Sequence, residues 1–239
     1  MPADLLVYAI VAAGLVFWLK SVLGTRHGEE RERPAPFSRT IEDIPQEGEE
    51  ELRAPITPAD DIRELSENPT ETLGVENKTA EDGLLTIADA DKNFEIRFFL
   101  AAAQDVFVMV VEAFSKADRE TLQDLLAPNV FDAFDGALTE REKSGETLDN
   151  EIQAIRKAEV IEAALNGRNA QITVRFVADE LSVTRDKEGE IIAGSTERTS
   201  EMLDIWTFTR DIKSRDPRWL VSETRGGFED DNETLPNTD

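Results

Sequence analysis

The sequence predicts an α+β domain in which helices come first and an antiparallel sheet follows. Apolar residues recur with helical periodicity between Phe94 and Phe134. From Ala158 onward the pattern changes to the alternation of half-buried strands, and turn residues separate the successive runs. Helices that precede a meander of strands pack on one face of a single sheet. We therefore expect one layer of helices on a four-stranded sheet.

The central helix is apolar around most of its circumference. Its apolar residues recur at spacings of three and four, namely Ile96, Phe99, Ala103, Val106, Val110 and Phe114. Only a narrow polar stripe remains between them. We expect this helix in the middle of the domain, because so little of its surface tolerates water.

Shorter helices are predicted on both sides of the central helix. Leu84 and Ile87 indicate a short helix before it. Asp118 fits the N-cap of a short helix after it, and Pro128 fits the first turn of another. Gly145 is the expected stop of that last helix.

Four strands are predicted after the helices. They cover residues 158–165, 172–178, 201–210 and 219–224, and Asn166-Gly167 is the turn pair between the first two. In this order the strands form an antiparallel meander.

The third predicted strand carries apolar groups on both faces. Alternation places Met202, Trp206 and Phe208 on one side, and Leu203 and Ile205 on the other. One face must meet the helices, while the other could line a pocket, a self-association surface or a partner site. Alternatively, a bulge shifts the register and sends nearly all of these side chains to one core.

Charge and composition exclude several classes of function. With 51 acidic and 26 basic residues the formal net charge is −25, which disfavours nucleic acid and anionic lipid as electrostatic partners. The chain has no cysteine, its single histidine is His27 and its single tyrosine is Tyr8. Thiolate metal sites are therefore excluded, and we predict neither a cofactor nor a histidine-dependent enzyme.

Residues 1–23 are predicted to form a transmembrane anchor. The apolar side chains of this span are Leu5, Leu6, Val7, Ile10, Val11, Leu15, Val16, Phe17, Trp18 and Leu19. As a helix, residues 5–19 cover about 22 Å of a hydrocarbon core about 30 Å thick. A signal peptide and a buried core helix are the alternatives.

The orientation of the span follows from its flanking cations. Lys20, Arg26, Arg31 and Arg33 come after the span, and no side-chain cation precedes it. The positive-inside rule therefore predicts a single-pass protein of the inner membrane whose bulk is cytoplasmic.

Acidic segments flank the predicted domain. Residues 24–83 are rich in acid and proline and are predicted to be a disordered linker, and residues 227–239 an acidic tail. Within the linker, residues 55–66 are the best candidate for a partner-binding motif, because Ile62 and Leu65 could share one face of a short helix. The acidic, proline-bearing composition nevertheless favours a solvated spacer over a binding motif. The acid pairs Asp60-Asp61 and Asp230-Asp231 indicate solvated charge and not metal ligands.

Several runs resemble a known family. FLAAAQDVFVMVVEAFSKAD, LLAPNVFDAF, EREKSGET and DIWTFTRDIKSRDPRW together resemble the C-terminal domain of Tim44, a subunit of the mitochondrial inner-membrane translocase, and its bacterial TimA-type relatives. The resemblance covers residues 84–226. Its most specific part is the strand Trp206–Arg210 with Asp216-Pro217 and Trp219 after it.

The resemblance implies a cone of the NTF2-like or cystatin-like type, with helices cupping a curved antiparallel sheet around an apolar cavity. The mitochondrial member is an adaptor that recruits a chaperone to the import channel and touches cardiolipin. Ala102 and Ala117 stand where the bacterial pattern usually has glycine. The lipid role is not carried over, because residues 80–100 offer only Lys92 and Arg97 as cations.

Three functions follow as hypotheses. The first is a non-enzymatic membrane adaptor whose protein partner is a chaperone, a translocase component or an envelope complex. The second is a carrier or sensor of a lipid-like ligand, with Phe98, Phe107, Trp206 and Phe208 as pocket walls or partner face. These four aromatics could instead simply fill the core.

The third hypothesis is an enzyme with Asp204 as its base. The domain lacks the tyrosine or histidine that such chemistry needs as an electrophilic partner. A salt bridge from Asp204 to Arg175 or Arg210 is the ordinary alternative.

Overall fold

The computed structural model describes residues 57–226 and 235–236. These residues belong to one compact unit, Arg53–Asp239. The predicted membrane span and the first part of the predicted linker lie outside the described residues.

Five helices and six strands make up the described domain. The helices are α1 Pro58–Glu67, α2 Lys78–Ala90, α3 Ile96–Ser115, α4 Arg119–Leu125 and α5 Pro128–Ser144. The strands are β1 Leu73–Val75, β2 Thr147–Asn166, β3 Asn169–Arg185, β4 Ile191–Gly194, β5 Ser200–Asp211 and β6 Leu220–Gly226. The α+β class predicted from the sequence is confirmed.

The sheet is larger than predicted and is not purely antiparallel. Its strand order is β1-β2-β3-β5-β6, with β4 also paired to β3. β1 pairs in parallel with β2, whereas the other pairs are antiparallel. The prediction of four strands was wrong because β1 and β4, at 3 and 4 residues, are too short to show alternation.

Helix α3 packs against the sheet and supplies much of the core. Phe107 stacks on Phe176 of β3 at 4.5 Å between ring centroids and contacts Trp206 of β5 at 4.8 Å. Within the described part of the chain, α3 is the helix long and apolar enough to cross a membrane, yet 44% of its apolar window is buried in the domain. Its apolar composition therefore reflects a core position.

The local signals around α3 are confirmed. The Asp118 side chain caps α4 by accepting from the Thr121 amide at 3.1 Å, and Pro128 opens α5. Gly145 ends α5 in the left-handed region, with φ 74°. These boundaries depend on neighbouring residues alone, which explains why the sequence reveals them.

β5 presents two different faces. Trp206 and Phe208 are buried on the face that meets the helices, while Leu203 and Ile205 are half-buried on the other face. The pairing of β5 with β3 runs without a register shift, so the alternative of a bulge is not seen along this pair.

The predicted linker ends earlier than residue 83. Residues 57–79 form α1 and β1, and Ile62, Leu65 and Val75 are no more than 3% exposed. Thr57 and Asp60 close a capping box at the start of α1. The prediction of disorder was wrong here, because the few apolar residues of this segment are buried by a distant part of the chain.

The face of α1 proposed as a partner motif is used within the domain. Ile62 and Leu65 join the common core, and the polar side of α1 is tied to α3. Arg97 of α3 donates to Asp61 at 2.9 Å and to Glu64 at 2.8 Å. In this structure α1 is therefore an integral helix of the domain.

Ala117 adopts an unusual backbone conformation in the turn between α3 and α4. Its φ is 56°, the only positive φ of a residue other than glycine among the described residues. We expect Ala117→Gly to raise the free energy of unfolding by about 0.5–1 kcal/mol, because glycine adopts this region without a steric penalty. Urea unfolding followed by far-ultraviolet circular dichroism measures the change.

Ala102 is the matched control for this substitution. It lies in the interior of α3. We expect Ala102→Gly to lower the free energy of unfolding by about 1 kcal/mol. Effects of the same sign at both positions would contradict the assignment of strain to Ala117.

Candidate partner-binding site

An apolar groove lies between the first half of α3 and the segment that precedes β6. Its volume is about 270 Å³. The residues that line it are Phe98, Phe99, Ala102, Ala103, Val106, Asp124, Leu125, Phe208, Pro217, Arg218 and Trp219. Helix α3 forms one wall and residues 217–219 form the other, while Leu125 of α4 and Phe208 of β5 complete the lining.

Aromatic contacts hold the two walls together. The rings of Phe99 and Trp219 are 4.9 Å apart, and those of Phe99 and Phe208 are 5.7 Å apart, both in edge-to-face geometry. The guanidinium of Arg210 lies over Trp219 at 5.0 Å and forms an ion pair with Asp91. The groove is therefore built on fixed side chains, although it opens to solvent.

Phe98 is the most exposed large apolar residue of the described chain. It exposes 75% of its surface, and Met109 exposes 43% further along the same helix. Ala102 and Val106 follow Phe98 at spacings of four, so these side chains form one stripe beside the groove. An apolar stripe continuous with an apolar groove is typical of a binding surface.

The structure separates the four aromatics that the sequence singled out. Phe98 and Phe208 line the groove. Phe107 and Trp206 are fully buried and pack on each other and on Phe176. The four side chains therefore do not share one pocket.

One arginine at the groove is held between two carboxylates. Arg218 donates to Asp216 at 2.9 Å and lies 3.7 Å from Asp124. The hydrogen bond from Arg218 holds the pKa of the Asp216 carboxyl below its usual value. Because these charged side chains are paired with one another, the groove offers a partner mainly apolar contacts.

Sequence reasoning missed the groove as a unit. The signal for the groove that the sequence offers is Asp216-Pro217 with Trp219, which belong to the most specific part of the resemblance. Phe99 was assigned only to the buried face of α3. Nothing in the local pattern brings α3 and α4 together with the segment before β6, because that segment is far along the chain from both helices.

Asp204, the candidate base, is buried at 5% exposure on the face that meets the helices. The structure pairs the two suggested partners elsewhere, Arg175 with Glu76 and Glu159, and Arg210 with Asp91. Both arginines thus have carboxylate partners other than Asp204.

Glu180 on β3 is a second buried carboxyl, at 7% exposure, and the sequence did not indicate it. Burial raises the pKa of Glu180, because the charged form loses its water. The folded chain then binds this proton more tightly than the unfolded chain does. The stabilisation that this proton gives the folded chain is fully present below the pKa that Glu180 has in the unfolded chain. It is lost as the pH rises through the pKa that Glu180 has in the folded chain.

We expect Glu180→Gln to change the free energy of unfolding little near pH 4, where Glu180 is protonated. At a pH high enough to ionise Glu180 in the folded chain, the substitution should raise the free energy of unfolding. The amide resembles the protonated carboxyl and never ionises, so the difference between the two chains isolates this one group. Urea unfolding of both chains at about pH 4, 6 and 8 measures it. A difference independent of pH would contradict the assignment.

The fold and the groove define an α+β domain with an apolar groove. The Tim44-like domain family matches residues 80–226, more than half of the sequence. The chain therefore belongs to the Tim44-like domain family.

Two relatives and one solved structure show how far the similarity extends. The chain is 26% identical over 120 residues to the mitochondrial import inner membrane translocase subunit TIM44-1 of Arabidopsis thaliana, covering 50% of the chain and 25% of that protein. It is 22% identical over 166 residues to the probable mitochondrial import inner membrane translocase subunit tin-44 of Caenorhabditis elegans, covering 68% of the chain and 39% of that protein. The chain thus spans well under half the length of these relatives.

Among solved structures, the intermembrane space region of the chloroplast protein ARC6 is similar at 14% identity and a TM-score of 0.40. That similarity covers 53% of this chain and 95% of the ARC6 region.

Proposed function

We propose that this protein is a membrane-anchored, non-enzymatic adaptor whose Tim44-like domain binds another protein at the cytoplasmic face of a bacterial inner membrane. Two curated relatives are named as import translocase subunits, which supports a role in protein translocation or in assembly of an envelope complex. The partner is a chaperone, a translocase component or an envelope complex. Residues 1–23 serve as the anchor in this proposal.

The observation that carries the proposal is the exposed Phe98 beside the groove. A phenylalanine that leaves 75% of its surface in water contributes little to the fold, so its apolar surface is available to a partner. The groove beside it has room for one or two inserted side chains. Aromatic anchors in such recesses dominate the binding energy of many protein interfaces.

The tether in this proposal is shorter than the sequence suggested. The described structure starts at Thr57, so the part of the predicted linker that would act as the tether is residues 24–56, about 33 residues. A flexible chain of that length has a root-mean-square reach of about 30 Å. The domain would then act within a few tens of ångströms of the membrane.

We also infer that the fold is of the NTF2-like or cystatin-like cone type. The support is three register shifts along the pairing of β2 with β3, between residues 152 and 162 of β2. Such shifts bend long strands and curve a sheet.

Photo-crosslinking in cells tests the proposed partner site. A photoreactive phenylalanine analogue at position 98 of the full chain is expected to crosslink reproducibly to a chaperone, translocase or envelope protein. Ile191 is the matched control, because it is an apolar residue on β4 that is 47% exposed and lies away from the groove. Equal crosslinking from both positions, or only self-crosslinks from position 98, would overturn the proposal.

A lipid-like ligand is the alternative occupant. The aromatics that would wall an internal cavity pack on each other, and the groove volume of about 270 Å³ falls short of the roughly 300–1,000 Å³ of most small-molecule sites. These two features favour an inserted protein side chain over a whole lipid. Native mass spectrometry of the full chain from cells separates the two, because a carrier retains bound mass.

A further inference from the structure

Two residues of the C-terminal tail lie against the domain. Leu235 is 7% exposed and joins the hydrophobic core. The carbonyl of Pro236 accepts a hydrogen bond from the Thr224 hydroxyl at 2.8 Å. Residues 227–234 and 237–239 lie outside the described residues. The tail is therefore attached to the domain through a leucine–proline pair.

The receiving surface is distinct from the groove. Thr224 is 1% exposed near the end of β6 and pairs in register with the buried Trp206 of β5. The groove residue Trp219 lies just before the other end of β6. The two surfaces thus lie at opposite ends of one strand.

The contacts define what the surface recognises. A leucine this deeply buried requires an apolar recess. The Thr224 hydroxyl donates to a backbone carbonyl, which every residue offers, and proline fits this position because the contact uses only its carbonyl and no amide hydrogen. A leucine followed by a proline meets both requirements.

The charge of the tail opposes its own docking. Residues 227–239 contain five acidic side chains and no basic one, in a chain of formal net charge −25. Like charges repel, and salt screens this repulsion. The tail nevertheless binds its own domain, because its covalent connection to β6 keeps Leu235 and Pro236 at a high local concentration near Thr224. A free segment with the same leucine–proline pair but without acidic flanks should therefore bind the surface with higher affinity than the tail would as a free peptide.

We propose that the surface around Thr224 is a peptide-binding slot for an extended protein segment that carries a leucine–proline pair. The tail of this chain occupies the slot in cis, and a partner segment with neutral or basic flanks binds when the tail is displaced. This inference does not depend on the function proposed for the groove.

The test removes the tail from the folded full chain, so that a peptide can bind in its place. A protease recognition sequence is inserted between Asp231 and Asn232, the chain is cut, and the released fragment is removed by dialysis. Binding of a fluorescent peptide with the sequence of residues 231–239 is then followed by anisotropy. We expect the cut chain to bind at least about tenfold more tightly than the uncut chain, because the attached tail competes.

Two altered peptides test the recognition. Replacing Leu235 of the peptide by alanine is expected to weaken binding at least about tenfold, since it removes the buried side chain. Replacing the acidic residues of the peptide by their amides is expected to tighten binding several-fold, with a gain that shrinks as salt is added. Equal binding of the leucine and alanine peptides would overturn the proposal.

The uncut full chain with Leu235→Ala is the control for the case in which cutting the tail unfolds the domain. We expect this variant to keep its circular dichroism spectrum and to bind the unaltered peptide, because its own tail no longer competes. If both the cut chain and this variant unfold, the tail is a structural part of the core and the proposal is wrong. A folded variant that binds no peptide would overturn it as well.

Discussion

Phe107→Ala is expected to lower the free energy of unfolding by about 3–5 kcal/mol, a large share of the roughly 5–15 kcal/mol that stabilises an ordinary domain. Phe107 is fully buried and contacts Phe176 and Trp206, so its removal leaves a cavity where α3 meets the sheet. Urea unfolding of the chain from residue 24 onward, followed by far-ultraviolet circular dichroism, measures the loss.

Phe98→Ala is the matched control on the same helix. The same chemical change at a side chain that is 75% exposed is expected to shift stability by no more than about 0.5 kcal/mol. It should nevertheless weaken binding of the partner identified by crosslinking from position 98, measured by co-purification of that partner with the full chain carrying Phe98→Ala. If the two substitutions changed stability equally, the division between core and binding surface on α3 would be wrong.

Gly83→Ala is the second substitution with a large expected effect. A Cβ atom at this position of α2 would lie 1.9 Å from the carbonyl oxygen of Ala163 on β2. The obstacle is backbone, so α2 must move off the sheet and disturb its buried residues Leu84 and Ile87. We expect a loss of about 3 kcal/mol or more in the free energy of unfolding, at the upper end of overpacking effects.

Gly136→Ala provides the control for this change. Gly136 lies within α5, and a Cβ there would meet no atom within 4 Å. Alanine favours a helix interior over glycine, so we expect a gain of about 0.5–1 kcal/mol. Thermal unfolding of both variants measures the contrast, and a tolerated Gly83→Ala would show that α2 does not approach β2 so closely.

The position of α1 would connect the proposed tether to the proposed partner site. Arg97, which holds Asp61 and Glu64 of α1, directly precedes Phe98 on α3. The helix that follows the proposed tether is therefore fastened to the same turn of α3 that presents the groove. An adaptor built this way fixes its partner site close to the point where its tether begins.

The sequence by itself determined the helical part of the fold and the order of layers. The predictions for α3, α4 and α5 rest on periodicity and on Asp118, Pro128 and Gly145, whose effects are exerted within one helical turn. Alternation likewise predicted the long strands β3 and β5. Such signals are complete in a short window of the chain, because capping and alternation depend on near neighbours.

The tertiary structure alone decided the remaining elements and the site. The burial of Ile62 and Leu65 depends on contacts with α2 and α3, and the strand β1 exists only because β2 offers its edge. On α3, an apolar residue stands on nearly every side, so the pattern does not tell the exposed Phe98 from the buried Phe99. Exposure depends on what packs against each side of the helix, and Phe99 is covered by Phe208 of β5 and by Trp219 just before β6. Contacts between distant segments are a property of the folded chain, which no local pattern contains.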